Sequence, residues 1–361
     1  MNILFRVDGG DLLGSGHVRR CLNLALELHK FGHCCVFLCR KHNGNLILEI
    51  KEYGFTVFEA ECVRLGAITS DPQTWLGDSV HNDVNWTIEV AKICQTDIVI
   101  VDHYAIDANW ESKVRSYIKN IIALDDLANR AHNVMAIIDS NFSACADTYK
   151  KLSLSDECKL LMGPSYCIMS AGFRSARKSL TDWSDRDNIA TLSIGGGDVS
   201  VKTYQTMRQI EQSPVLHQLF YWHIYFPTIS SIINDKVQNL QLIQNSAFIA
   251  CQDLFRSLAV SKLAIGGCGT STYERMCLGV PSFLCILAEN QRKIASSAVA
   301  AGVGSLWYDY KADDVQNHAL RESSLGFAMN VGKMKRASEA CLKLVDGSGV
   351  TRICEYIGRL E

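Results

Sequence analysis

The stretch "GSGHVRR", Gly14 to Arg20, places a histidine where a glycine turn meets a helix. Gly14, Ser15 and Gly16 let the backbone pass close to a ligand, and Val18, Cys21, Leu22, Ala25 and Leu28 follow with helical spacing. His17 therefore falls at a helix N-terminus, where unpaired amides and the positive dipole end favour an anion and disfavour protonation of an imidazole. A neutral imidazole there is a candidate general base. The turn is not the dinucleotide fingerprint, because Arg19 stands in place of the third glycine and the second strand ends in Arg40 and Lys41 instead of a ribose-binding acid. It also lacks the GK[ST] of a nucleotide phosphate loop.

Four further clusters carry chemistry. "VDHYAID" offers Asp102, His103 and Tyr104, in which a carboxylate could orient an imidazole and a phenol could meet a sugar hydroxyl; the plainer role is a strand-end Asp capping the next helix. In "ALDDLANR", Asp125 and Asp126 polarise water, pair with basic neighbours, or merely complement a helix dipole. "SIGGGDVS" sets Gly196 and Gly197 after a strand, where bare amides suit a diphosphate and where a simple turn would look the same. The longest block is "LAIGGCGTSTYERMCLGVPSFLCILAENQ": a strand runs into Gly269, Thr270 and Ser271 open a helix bearing Glu274, and a second strand delivers Asn290 and Gln291. Ser271 with Glu274 also matches a capping box, so ligand binding and helix capping compete for one carboxylate.

These clusters need strands that end together. Short β-type runs ("NILFRV", "CCVFLC", "FTVFEA", "DIVIVD", "NIIALDD") alternate with helical stretches, the pattern of a parallel sheet whose carboxyl ends line a ligand crevice. A second series ("NIATLSI", "HIYF", "LQLI", "FIAC", "KLAIGG", "SFLCIL") repeats it. The expected organisation is an α/β chain of two Rossmann-like domains: residues 1–165 carrying the base, a connection over 166–187, a nucleotide-binding domain over 188–345, and a tail over 346–361.

The 361 residues, 48% hydrophobic and 20% charged, suffice for two full cores. A formal charge of −2 gives no field for nucleic acid as the main partner. No apolar run approaches the roughly 20 residues that span a bilayer, and "MNILFRVDGGD" lacks a secretory core, so a cytoplasmic protein is expected. The fifteen cysteines include no CxxC pair and sit in apolar segments such as "HCCVFLC", as small buried hydrophobes rather than metal or disulfide sites. No oligomeric state is legible.

Taken together and in order, "FRVDGGDLLGSGHVRR", "WLG" (Trp75 to Gly77), "VDHYAID", "LDD", "LLMGPSY", "GGGD" and "GGCGTSTYERMCLGVPS" with "ENQ" resemble the UDP-2,4-diacetamido-2,4,6-trideoxy-β-L-altropyranose hydrolase family of pseudaminic acid biosynthesis, over most of residues 1 to about 310. The resemblance implies a GT-B arrangement like that of the lipid II-forming glycosyltransferase, with an interdomain cleft, UDP release from a UDP-sugar, and no required metal or cofactor. It implies that His17 activates water, that Thr270 and Ser271 face phosphate, Glu274 the ribose, and Asn290 with Gln291 the sugar or diphosphate, and that Cys251 to Leu254 border the uracil. One position departs: the family's arginine four residues after the tyrosine of "GPSY" is Ser170 here. Either Arg174 or Arg177 substitutes for it, or substrate and activity differ. The rival readings are a GT-B glycosyltransferase with a UDP-sugar donor, separated by whether the sugar goes to water or an acceptor, and a non-catalytic UDP-sugar binder.

Overall fold

The computed structural model describes residues 1–63, 69, 71–195, 200–225, 237–250 and 253–360. The chain divides into two compact units, Met1–Met169 with Ser348–Glu361, and Ser170–Gly347.

In the first unit seven strands, β1 (Asn2–Val7), β2 (Cys34–Arg40), β3 (Thr56–Ala60), β4 (Ile98–Asp102), β5 (Asn120–Leu124), β6 (Ala136–Asp139) and β7 (Lys159–Met162), form one sheet in the order β3-β2-β1-β4-β5-β6-β7. Every pairing is parallel. The central strands are apolar on both faces because both are covered, the condition under which parallel sheets occur. On one face the helix α1 (Gly16–Lys30) and a C-terminal helix, Gly349–Gly358, pack through Val18, Leu22, Ala25, Ile353 and Ile357. On the other, the helices Val80–Ile93 and Ala108–Arg115, the second carrying the fully buried Trp110, close over Val99 and Ile121. The order reverses between β1 and β4, so the crevice rule places a ligand at the ends of those two strands. The turn after β1 and the start of α1 lie there, as does Asp102, the last residue of β4.

The second unit is a six-stranded parallel sheet, β10-β9-β8-β11-β12-β13, of β8 (Ile189–Ser193), β9 (Tyr221–Tyr225), β10 (Ser246–Ile249), β11 (Leu263–Gly267), β12 (Ser282–Ile286) and β13 (Gly304–Asp309). Trp222, Phe283 and Trp307 fill its core, the last two as stacked rings 5.2 Å apart. Here the order reverses between β8 and β11, the strands that lead into "GGGD" and "GGCGT".

Three features differ from the expected elements. "LQLI" falls in a 3₁₀ turn, Gln241–Asn245, not a strand. Within the segment expected to connect the units, Phe173 buries the helix Ala171–Arg177 in the second unit, and Arg177 donates to the carbonyls of Cys277 and Leu342 at 2.6 and 2.7 Å. The expected tail is the helix Gly349–Gly358, whose Val350, Ile353, Cys354 and Ile357 join the first unit's core, returning the chain end to the domain in which it began.

Candidate active site

Gly14 adopts φ +77°, a left-handed turn that favours glycine, and the next residues open α1 with no acidic side chain in the first turn. His17 then projects over the end of β4. Its Nδ1 lies 2.6 Å from Asp102 Oδ1. Burial alone would push the Asp102 carboxyl up, but Arg20 and His17 hold it well below the usual carboxylate range. An ionised carboxylate can only accept, so Nδ1 donates to it, and in the neutral ring Nε2 carries the lone pair. Nε2 has no hydrogen-bond partner among the described residues, and the side chain is 11% exposed.

Asp102 is shared. Arg20 places Nε and Nη2 on its two oxygens at 2.5 and 2.6 Å and Nη1 on Asp126 Oδ2 at 2.9 Å. Tyr104 stands edge-on to the His17 ring, centroids 4.5 Å apart, and burial together with the nearby Asp126 charge pushes its phenol up. Trp75 stacks on the far side of Tyr104 at 5.8 Å. The result is an oriented imidazole beside an aromatic wall.

Not every expected residue joins it. His103 turns away: its Nδ1 accepts from the amide of Ala105 at 3.1 Å, and Nε2 faces Asp8 Oδ2 at 3.2 Å in a fully enclosed network. Burial pushes that imidazole down. The imidazole that Asp102 orients is thus His17 and not its own neighbour, because successive residues at a strand end point to opposite sides. Asp8 is also enclosed, held by Arg6 at 2.8 Å and the amide of Arg40 at 2.7 Å. Asp125 is bound by Arg130, the amides of Leu127 and Ala128, and Tyr149, which leaves Asp126 as the member of the pair beside His17. Arg20 was missed in the sequence, although its i, i+3 spacing puts it on the helix face of His17.

The second unit builds a different edge. β11 ends at Gly267, and the helix Ser271–Cys277 begins with Thr270 as an N-cap that makes no side-chain cap. Ser271 is therefore not the N-cap, and the capping box does not form. Instead Ser271 Oγ accepts from Arg275 at 3.2 Å. Thr270 is exposed and Ser271 and Glu274 half-buried, three and four residues apart on one helix face. Arg275 is buried beneath them, donating to the Gly267 carbonyl, Thr272 and Ser282 at 2.9 to 3.2 Å. No carboxylate pairs with it among the described residues. A Cβ on Gly266 would lie 2.6 Å from the Ser193 carbonyl and 2.5 Å from Arg275 Nη1, so the neighbouring backbone, with this arginine beside it, requires glycine there. A Cβ on Gly269 would meet open space, so its own chain does not demand a glycine.

At the end of β12, Asn290 is exposed, while Gln291 uses its Oε1 to accept from the amide of Leu287 at 3.0 Å. Leu254, half-buried, opens the helix Leu254–Val260; Arg174, half-buried, lies on the helix Ala171–Arg177. Gly196, Gly197 and Cys251–Gln252 lie outside the described residues. Among the described residues no group of three or more His, Cys, Asp or Glu is placed to hold a metal, and no helix is long and apolar enough to cross a membrane.

No protein-family model matches the chain. It is 25% identical over 309 residues to an uncharacterized protein of Methanocaldococcus jannaschii, covering 81% of this chain but spanning only 57% of that protein. It is 23% identical to the UDP-2,4-diacetamido-2,4,6-trideoxy-beta-L-altropyranose hydrolase of Campylobacter jejuni, over 60% of this chain and 68% of that one. Against the spore coat polysaccharide biosynthesis protein SpsG of Bacillus subtilis the identity is 23%, over 98% and 96% of the two chains. Among solved structures, Acinetobacter baumannii MurG superposes with a TM-score of 0.67 at 12% identity, covering 99% of both chains. Neisseria meningitidis UDP-GlcNAc 2-epimerase bound to UDP-GlcNAc gives 0.60 at 12%, covering 99% of this chain and all of the other. The likeness shows the fold: two parallel-sheet α/β domains of the GT-B kind.

Proposed function

We propose that this chain hydrolyses a UDP-linked 2,4-diacetamido-2,4,6-trideoxy sugar to UDP and the free sugar, with His17 as the base. The observation that carries the reading is the imidazole whose Nδ1 proton is committed to Asp102, leaving Nε2 as an acceptor. Water bound at Nε2 gives up a proton as its oxygen attacks the anomeric carbon. The bond from that carbon to the diphosphate oxygen breaks, and UDP departs as an anion needing no proton. Such a base contributes roughly 10²–10⁴-fold.

On this reading the second unit binds the nucleotide. Gly269, Thr270 and Ser271, with Gly196 and Gly197, take the diphosphate; Glu274 takes the ribose, Asn290 and Gln291 the diphosphate or sugar, Leu254 the uracil, and Arg174 stands in for the arginine absent at Ser170. Gly14 and Gly16 let the sugar approach, and Tyr104 meets it. The name of the Campylobacter relative supports a nucleotide-sugar substrate, and that of the Bacillus relative a place in polysaccharide biosynthesis. His103, turned into the enclosed network with Asp8, takes no direct part.

The test is UDP release from a panel of UDP-diacetamido sugars and UDP-GlcNAc, with NMR of the sugar formed. Free reducing sugar is expected from wild type, and loss of turnover by at least ~10²-fold in His17→Asn with UDP affinity unchanged. Turnover only with an added acceptor would make the chain a glycosyltransferase. UDP binding without turnover of any sugar would make it a binder, and full activity in His17→Asn would remove the base.

A further inference from the structure

A lone carboxylate beside an imidazole does two things at once: it fixes the ring by accepting from Nδ1, and it stabilises the imidazolium. A base that must start neutral needs the first and is harmed by the second. The surroundings of His17 separate the two effects. Asp102 and Asp126 are the anionic groups facing it, from the ends of β4 and β5, and Arg20 is the cation, one turn along α1. Cys21 Sγ reaches Asp102 at 3.5 Å, and burial holds both that thiol and the Tyr104 phenol in their neutral forms. Arg130 lies beyond Tyr104, its guanidinium 6.0 Å from that ring. Side-chain exposures are 0% for Asp102, 12% for Arg20 and 24% for Asp126, so solvent screens these charges weakly.

Resting on the reading of His17 as the base, we infer that Arg20 is a positioning residue: it cancels the charge of Asp102 while pinning its Oδ1 on His17 Nδ1, so the ring is oriented without being locked as imidazolium. The geometry suits only an arginine. Its fork meets both Asp102 oxygens side by side, fixing the carboxylate plane, and the third nitrogen reaches Asp126 and neutralises part of a second acid. A lysine offers one charge without the fork. Nη2 passes 3.2 Å from Nδ1, which also disfavours a second positive charge on the ring.

The experiment is ¹⁵N and ¹³C NMR of the His17 imidazole across pH, assigned by its loss in His17→Asn, in wild type, Arg20→Met, Arg20→Lys and the double variant Arg20→Met/Asp102→Asn. Two uncompensated carboxylates raise the protonation midpoint in Arg20→Met by about one to two pH units. That is a 10- to 100-fold loss of neutral ring on the acid side. Arg20→Lys shifts it less, and the double variant, which removes both charges, returns it toward wild type. If Arg20→Met does not fold, the lysine and double variants decide the matter. A midpoint that stays put in the folded single variants, or a double variant shifted upward, overturns the inference. The acid limb of UDP release moves with the NMR midpoint when a sugar is turned over. Absence of turnover in wild type sinks the hydrolase reading and leaves the NMR outcome intact.

Discussion

His132→Gln isolates one element of the machinery that holds the Asp125–Asp126 turn. The His132 ring is 1% exposed, with Nδ1 2.8 Å from Glu111 Oε1 and Nε2 3.7 Å from Asp125 Oδ2, a hydrogen bond on one side and an ion pair on the other. Burial alone would push the imidazole down, but the two carboxylates outweigh it and raise the ring from 6.5 to about 9. A difference of about 2.5 units at 1.36 kcal/mol each is roughly 3 kcal/mol. Because the folded-state value is the raised one, this stabilisation is fully present below the unfolded value near 6.5. It is lost as pH climbs through about 9. Glutamine keeps a donor for Glu111 but has no charge to lose. Urea unfolding at pH 6 and pH 10, read by hydrogen-exchange mass spectrometry on peptides covering β5 and β6, should show wild type exceeding His132→Gln by about 3 kcal/mol more at pH 6 than at pH 10. Groups common to both proteins cancel in that comparison. An excess that is the same at both pH values would mean that His132 is not held as imidazolium, and the proposed hold on Asp125 would be wrong.

Asp83→Asn should cost about 3–5 kcal/mol, measured by the urea midpoint of the first unit. Asp83 receives Arg6 through two nitrogens, Arg40 through a third and Trp110 Nε1, all buried, so its loss takes one of two carboxylate partners from each guanidinium, leaving Arg6 with Asp8 and Arg40 with Asp78; a cost below about 1 kcal/mol would show that those remaining partners suffice. Glu274→Ala should weaken UDP binding about tenfold, ~1.4 kcal/mol by calorimetry, with little change in Tm, since no capping box depends on this carboxylate. A large fall in Tm with affinity intact would make Glu274 a structural residue instead.

How much of this was legible in the sequence follows from which signals are local. The buried runs "NILFRV", "IVIV" and "LAIGG" announce central parallel strands because burial on both faces leaves no polar alternation. β6 and β7 are four residues each and β13 mixes Trp307 and Tyr308 with polar neighbours, so none stands out from its loops. The helix Gly349–Gly358 has apolar residues at 350, 353, 354 and 357, a helical stripe in plain view. Its partner was not: a return to the first unit leaves no mark on the local pattern. The site divides in the same way. The glycine turn located His17, whereas the pairing of Asp102 with His17 joins residues 85 apart and is set by strand order. Adjacency pointed to His103, and the pleat turned it away.

The carboxyl edges of the two sheets differ in charge, and the difference bears on where a diphosphate goes. At the first, His17, Asp102, Arg20 and Asp126 sit between two enclosed ionic networks, one of Arg6, Asp8, Arg40 and Asp83, the other of Glu111, Asp125, Arg130 and His132. Every arginine named there is already engaged by a carboxylate, and Asp126 Oδ1 remains an unpaired acceptor among the described residues. An incoming dianion would meet repulsion and no free fork. At the second edge Arg275 has only carbonyl and hydroxyl partners, and Ser271 Oγ, which accepts from it, donates in turn to the Gly267 carbonyl at 3.4 Å. A buried guanidinium without a counter-ion is costly in isolation and gains from any anion that docks above it. On the proposed reading, the chemistry of each edge is consistent with one division of labour, with the base on the carboxylate-rich sheet and the diphosphate on the glycine- and hydroxyl-lined one.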